Sequence, residues 1–215
     1  MLQKFLFIGV GGSGGKTLRI VYDDLRRLLI RNGYRGPFPE AWQFVQIDVP
    51  IEPDGNTPKL PPQLPTGRYV GLAPAGASYS SVDSLLMSKS EGIRRHAAGW
   101  RPDASAVMID PAVGAGQYRA VGRIVASASM RSIVEQLRTA INRLEDVETE
   151  AQFAAAISKL GIASSSKNLD PMPVIVSSIA GGSGSGVFPD VCDALRMINP
   201  SWGDKSVGVL YTPDV

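Results

Sequence analysis

Apolar positions along the chain follow two alternating rhythms. Residues 4–10, KFLFIGV, form a continuous apolar run ending in glycines, the pattern of a central parallel strand covered on both faces. Leu18, Val21, Tyr22, Leu25, Leu28 and Leu29 then recur at three- and four-residue spacing, while Arg19, Asp23, Arg26 and Arg27 take the opposite face. This predicts an amphipathic helix closed by Asn32-Gly33. Residues 42–48, WQFVQID, read as a second strand ending in Asp48. Strand, glycine loop, helix, strand is the opening of a βαβ unit with a right-handed crossover, so the fold class is α/β with a mostly parallel sheet.

The rhythm breaks between Pro50 and Pro65, where six of sixteen residues are proline and regular structure is disfavoured. Residues 50–104 read as an irregular insertion, with a short edge strand at Tyr69–Leu72 and a short helix near Ser81–Arg95. Order resumes at SAVMID (105–110), a predicted strand, followed by PAVGAGQYRAVGR. From Ile124 through Val125, Ala128, Ile133, Val134, Leu137, Ile141 and Leu144, helical spacing predicts one long helix ending near Glu145, with a shorter helix over Glu150–Leu160. SSSKNLDPMP (164–173) has loop composition, PVIVSSIA (173–180) is a β-branched strand, AGGSGSG a second glycine loop, VFPDVCDALRMIN a helix, and KSVGVLYT (205–212) a last strand.

Composition narrows the classes. A chain of 215 residues with 44% hydrophobic and 20% charged residues is expected to form one sizeable globular domain. The formal net charge of +2 gives no electrostatic reason to expect nucleic acid or an anionic membrane as partner. Cys192 is the only cysteine, which excludes an intramolecular disulfide and fits a reducing, cytoplasmic setting. The N-terminal apolar run is too short for a signal-peptide core, and no stretch is long enough to span a bilayer.

The chemistry concentrates in three small-residue loops, GVGGSGG (9–15), VGAGQ (113–117) and AGGSGSG (180–186), each leading from a predicted strand into a helix. Such loops open on the carboxyl edge of a parallel sheet, where backbone N–H groups and helix N-termini receive phosphates. The run IGVGGSGGKT ends like a P-loop, but that motif requires glycine where Val10 stands. Gly9, Gly11 and Gly14 satisfy a dinucleotide fingerprint, yet Asp48 lies 34 residues beyond Gly14 instead of about 20. A Rossmann-type oxidoreductase using NAD or FAD therefore stays open as an alternative, although it leaves AGGSGSG without a role. His96 has no Ser, Cys or acid placed to make a catalytic set, Arg94, Arg95 and Arg101 read as a solvated face, Cys192 as a small core residue, and the three tryptophans are scattered.

Ala180-Gly181-Gly182-Ser183-Gly184-Ser185-Gly186 resembles the glycine signature of the tubulin/FtsZ superfamily, with serine where the family usually has threonine. Ile8–Thr17 resembles the first nucleotide loop of the FtsZ-like branch, with Lys16 where asparagine is common. Gly114-Ala115-Gly116, followed by Val121-Gly122-Arg123, resembles its γ-phosphate loop and the helix after it. The likeness covers most of the chain outside about residues 50–104 and is closest to divergent bacterial tubulin-like proteins.

The resemblance implies a three-layer Rossmann-like sheet with helices on both faces, binding of GTP or GDP with Mg2+, and head-to-tail self-association into filaments. A non-polymerising nucleotide sensor on the same fold is the further alternative. Gly11, Gly12, Ser13 and Gly14 would hold the α- and β-phosphates, with Lys16 adding positive charge or standing solvated. Gly181, Gly182, Ser183, Gly184 and Ser185 would wrap the β- and γ-phosphates, while Ala115, Gly116 and Gln117 would meet the γ-phosphate. Asp48 would reach magnesium and Asp214 the ribose. In the family, guanine contacts, the acidic loop that activates hydrolysis in the neighbouring subunit and a second, activation domain all follow the strand matched by KSVGVLYT. These 215 residues are therefore expected to match the N-terminal nucleotide-binding half, with weak base selectivity and inefficient hydrolysis on their own.

Overall fold

The computed structural model describes residues 3–56, 58–162 and 170–212. Its centre is a five-stranded, wholly parallel sheet of β1 (Phe5–Val10), β2 (Trp42–Asp48), β3 (Tyr69–Gly71), β4 (Met172–Ser178) and β5 (Val207–Tyr211), in the order β3-β2-β1-β4-β5. The chain moves outward from β1 through β2 to β3, then returns to the other side of β1 for β4. That reversal makes the junction between β1 and β4 the switch point of the sheet. In register, Val10 of β1 lies opposite Ile47 of β2 and Ser177 of β4, which brings Asp48, Gly11 and Ser178 to one edge.

Period-two alternation divides the apolar residues between two faces. Leu6, Ile8, Val10, Val45, Ile47 and Ile175 point into the larger core, beneath α4 (Arg119–Ala128), α5 (Met130–Glu145), α7 (Gly182–Ile198) and α2 (Tyr79–Lys89). Phe7, Phe44, Val174 and Val176 point the other way, against Leu18, Val21, Tyr22 and Leu25 of α1 (Gly11–Arg31). Phe44 stacks on Phe7 at 4.8 Å and meets Tyr22 edge-on at 5.3 Å, so an aromatic seam joins α1 to the sheet. Helix α6 (Val147–Lys159) closes the far end, where Phe153 packs on Trp42. Short helices α3 (Glu91–Ala97) and α8 (Trp202–Lys205) complete the element order. None of the described helices is long and apolar enough to cross a membrane.

Four expectations need correction. SAVMID (105–110) contains no strand; Tyr69–Gly71 occupies the position beside β2. The single long helix is two, α4 and α5, divided at Ser129, whose hydroxyl donates to the Leu72 carbonyl at 2.7 Å. Most of the first and third glycine stretches is not loop: Gly11–Gly15 and Gly182–Gly186 already form the opening turns of α1 and α7. Arg19, assigned to the polar face, is 2% exposed. The region from 50 to 104 holds β3, α2 and α3, and α1 ends at Arg31 with Gly33 at φ +81° as its sequence predicts. The predicted loop at 164–173 falls largely outside the described residues.

Arg19 has a structural task that periodicity conceals. Its guanidinium donates from Nε to the Pro61 carbonyl at 2.8 Å, and its terminal nitrogen reaches the same oxygen. Proline-rich chain offers carbonyls but few N–H groups, so a buried cation with several donors is suited to holding it. Arg19→Ala is expected to lower unfolding stability by about 2–3 kcal/mol, the scale of lost hydrogen bonds to a charged group, and to speed proteolysis within residues 50–65. Arg27→Ala, which loses an exposed i,i+4 pair with Asp23, is expected to change stability by less than about 0.5 kcal/mol; urea denaturation with limited proteolysis checks both.

Candidate functional site

The three glycine stretches converge because their backbones pack against one another. A Cβ on Gly11, which has φ +71°, would lie 2.7 Å from the Gly184 amide nitrogen. One on Gly182 would lie 2.7 Å from the Ala115 carbonyl, 2.8 Å from that of Gly116 and 2.8 Å from the Tyr118 nitrogen. The Gly182 N–H donates to the Gly116 carbonyl at 2.8 Å. Gly122 of α4 would in turn strike the Gly182 carbonyl, and Gly186 the Arg119 carbonyl. Side chains at these positions would force α1, α4 and α7 apart.

The glycines therefore divide into two kinds. Gly11, Gly14, Gly15, Gly182, Gly184 and Gly186 are buried, Gly14 against the Val176 carbonyl and Gly15 against the Gln46 side chain. Gly181 has nothing within 4 Å of a notional Cβ, and at Gly12 the nearest atom is 3.4 Å away. Ser13, Ser183, Ser185, Gly116 and Gln117 are at least partly accessible, while Ala115 is buried. Asp214 lies outside the described residues.

Helices α1, α4 and α7 all start at this edge, and none has a capping side chain or an acidic residue in its first turn. Away from it, α2, α3 and α6 are capped by Ser78, Ser90 and Asp146, whereas α5 and α8 also lack a side-chain cap. Uncapped first turns leave N–H donors and a partial positive charge facing the cleft.

Acidic groups sit on the β2 side. Asp48 is 5% exposed, and its Oδ1 accepts from the Val49 N–H at 2.7 Å. Burial pushes its carboxyl up to about 6; the Val49 N–H and Ser183 hydroxyl oppose this, Asp54 adds to it, and Lys16 counters it. Lys16 is neither free nor simply solvated: its Nζ lies 2.8 Å from Asp54 Oδ2. A Cβ on Gly12 would see Asp54 Oδ2 at 3.4 Å, Lys16 Nζ at 3.9 Å and Asp48 Oδ2 at 4.0 Å, so these three groups surround one backbone position. Among the described residues no group of three or more His, Cys, Asp or Glu comes together as a metal site. The oxygen donors present fit a magnesium ion that keeps waters and takes other ligands from a phosphate.

Sequence reasoning missed three residues at this edge. Asp54 arrives from the proline-rich segment. Arg119 donates from Nε to Ser185 Oγ at 3.1 Å and from a terminal nitrogen to the Ile179 carbonyl at 3.1 Å. The Tyr211 hydroxyl lies 3.0 Å from Thr17 Oγ1 and ties the end of β5 to α1. No spacing rule points to Asp54 or Tyr211; Arg119 stood two residues after the VGAGQ run and was the one open to suspicion.

Behind the cleft, Arg123 of α4 lies 5.1 Å over the Trp100 ring and 3.9 Å from Asp190 of α7, whose Oδ1 accepts from the Ser127 hydroxyl at 3.1 Å. Burial pushes the Asp190 carboxyl up to about 6, against the Ser127 hydrogen bond and the Arg123 charge. His96 and Cys192 are bland as read, His96 exposed and edge-on to Trp100 at 6.0 Å and Cys192 half-buried against the core. Arg101, read as part of a solvated face, instead lies beyond the end of α3 and pairs with the buried Asp83 at 3.0 Å.

Comparison with known proteins gives one match. A family model described as tubulin-like matches residues 6–215, a span that includes the insertion. No curated protein and no solved structure matches the chain.

The Asp48 carboxyl titrates higher in the folded chain than in the unfolded one, so its ionised form costs stability at neutral pH and that cost fades as pH falls through about 6 toward 4. Asp48→Asn is therefore expected to be more stable than the parent at neutral pH by about 1–3 kcal/mol, with the two converging near pH 4. Chemical denaturation of both proteins across this range measures the difference.

Proposed function

The chain belongs to the tubulin-like family, and from that premise we propose that it binds a guanine nucleotide, GTP or GDP, with magnesium, at the carboxyl edge of the sheet. The observation that carries this reading is the convergence of three uncapped helix N-termini, locked together by the approach of Gly11 to Gly184 and of Gly182 to Ala115 and Gly116. Oriented N–H groups around one cleft suit a polyphosphate reached from several sides.

The division of the glycines sharpens the roles. Gly181 leaves room for ligand, and N–H groups of the first turn of α1, from Gly11 to Gly14, face the α- and β-phosphates beside the Lys16, Asp48 and Asp54 side chains. The Ser183 and Ser185 side chains and the N–H groups of Gly181, Ser183 and Gly184 face the β- and γ-phosphates, with the Ser183 hydroxyl shared with Asp48, while the N–H groups of Gly182 and Ser185 are taken by the Gly116 and Gly181 carbonyls. Ala115 and Gly116 serve mainly by packing against Gly182, and Gln117 reaches toward the γ-phosphate side. Asp48 would hold magnesium, which supplies charge neutralisation for the phosphates when bound. Head-to-tail self-association belongs to the same reading, supported by exposed Met108, Val113 and Tyr118 in and beside the VGAGQ segment.

Thermal unfolding with GTP, GDP, ATP, NAD and FAD in magnesium buffer tests the ligand class, because a native-state ligand raises the midpoint with the logarithm of its concentration over Kd. Stabilisation by GTP and GDP is expected; stabilisation by NAD or FAD alone, or by none of them, overturns the reading. Sedimentation with and without GTP then separates an assembling protein from a non-polymerising sensor.

Gly181→Val is expected to weaken GDP binding at least about tenfold while leaving the ligand-free midpoint within about 2 °C of the parent, since its side chain enters open space. Gly184→Ala, whose Cβ would lie 2.7 Å from the Ser178 carbonyl, is expected to lower the ligand-free midpoint by several degrees. Calorimetry paired with thermal melts distinguishes the two.

A further inference from the structure

The proline-rich segment carries a carboxylate into the candidate site and holds it there. The Tyr69 hydroxyl lies 2.7 Å from the Pro50 carbonyl and 3.1 Å from that of Glu52. The Gln63 amide donates to the Asp54 carbonyl, and Arg19, buried beneath, donates to the Pro61 and Pro62 carbonyls. Leu64 packs against the α1 face of the sheet. The chain is thus fastened on both sides of Asp54, and the placement of its side chain follows from contacts that do not involve that side chain.

Two consequences meet at Gly12. Asp54 Oδ2 pairs with Lys16 at 2.8 Å, which occupies the cation that the first turn of α1 would otherwise offer an incoming anion. The same oxygen stands 3.4 Å from a Cβ position on Gly12, where Asp48 Oδ2 is 4.0 Å away, so a second carboxylate borders the same entry. Lys16 against Asp48 and Asp54 leaves this wall with one net negative charge. A bare polyphosphate meets repulsion there and an already paired lysine. A polyphosphate arriving with a divalent cation carries less negative charge, so it meets less repulsion from Asp54 while bringing a metal to Asp48.

Resting on the nucleotide reading above, we infer that Asp54 is a specificity-determining residue that makes the site select cation-complexed nucleotides over metal-free ones. The residue does this from the proline-rich segment, which gives that segment a part in ligand selection. Lys16 is then a partner of Asp54 first and of phosphate second.

The test compares the parent with Asp54→Asn, which keeps the backbone carbonyl bonded by Gln63, and with Asp54→Ala. Circular dichroism and the ligand-free melting midpoint establish that each variant folds. Calorimetry then measures GDP and inorganic tripolyphosphate, each in EDTA and in excess magnesium chloride. The parent is expected to favour the magnesium complexes strongly. Both variants are expected to bind metal-free GDP and metal-free tripolyphosphate about tenfold tighter than the parent, with the magnesium complexes changed less than about twofold. The ratio of magnesium to metal-free affinity then shrinks about tenfold. A merely structural role for Asp54 moves both arms together and leaves the ratio unchanged, which overturns the inference while the nucleotide reading stands. Selective loss of magnesium-GDP binding also overturns it, because Asp54 would then act as a metal ligand and not as a selector. Absence of all binding by parent and variants alike overturns the nucleotide reading, and this inference falls with it.

Discussion

The approach of Gly11 to Gly184 is the constraint on which the site depends. Strands β1 and β4 are neighbours at the switch point of the sheet; β1 passes directly into α1 and β4 into α7 after three residues. Helices launched so abruptly from adjacent strands bring their first turns within van der Waals reach. Only residues without Cβ permit that contact, and Gly11 must also adopt φ +71° to leave the strand. Once the two helices are seated, Gly182 and Gly186 receive the backbone of residues 115–123, so the start of α4 is set by the same packing. The three glycine motifs are parts of one packed wall, and most of their glycines maintain it.

This packing separates two demands that a glycine motif is usually taken to meet together. Buried glycines hold the wall, Gly181 leaves open space on its outer side, and Gly12 borders the Lys16, Asp48 and Asp54 side chains. The electrostatics follow the same division. Uncapped helix N-termini leave positive potential on the α1, α4 and α7 side, while Asp48 and Asp54 line the β2 side. Behind the wall, Arg123 between Trp100 and Asp190 ties α4 to α7 and to the chain that follows α3. Any movement of the VGAGQ segment has to work against that contact and against the Gly182–Gly116 hydrogen bond.

Local pattern made much of the fold legible. KFLFIGV and PVIVSSIA became β1 and β4 because a strand buried on both faces is largely apolar and needs no tertiary information to be seen, and WQFVQID became β2 on its aromatic and β-branched residues despite the buried Gln43 and Gln46. SAVMID failed because its composition suits a strand but composition does not show whether a neighbouring strand pairs with it; the place beside β2 is taken by β3, and SAVMID pairs with none of the five strands. The break at Ser129 was hidden because apolar periodicity runs through it, and the cause is a hydroxyl bonded to Leu72 far away in sequence. Arg19 was misread because helical spacing locates a side chain on a face without showing what chain will later be laid over that face.

For the candidate site, the sequence by itself determined the three glycine stretches, the strand-to-helix context of the first and third, and Asp48 at the end of β2, since each is a local pattern of small residues, apolar runs and one acid. Tertiary structure alone decided which glycines pack and which stay open, because a Cβ clash depends on a partner such as Gly184 against Gly11 that lies far along the chain. It also decided that Lys16 is held by Asp54 and that a proline-rich segment reaches the cleft. Contacts of that kind arise when chain distant in sequence is folded over a surface, and the spacing of residues along the chain carries no record of them.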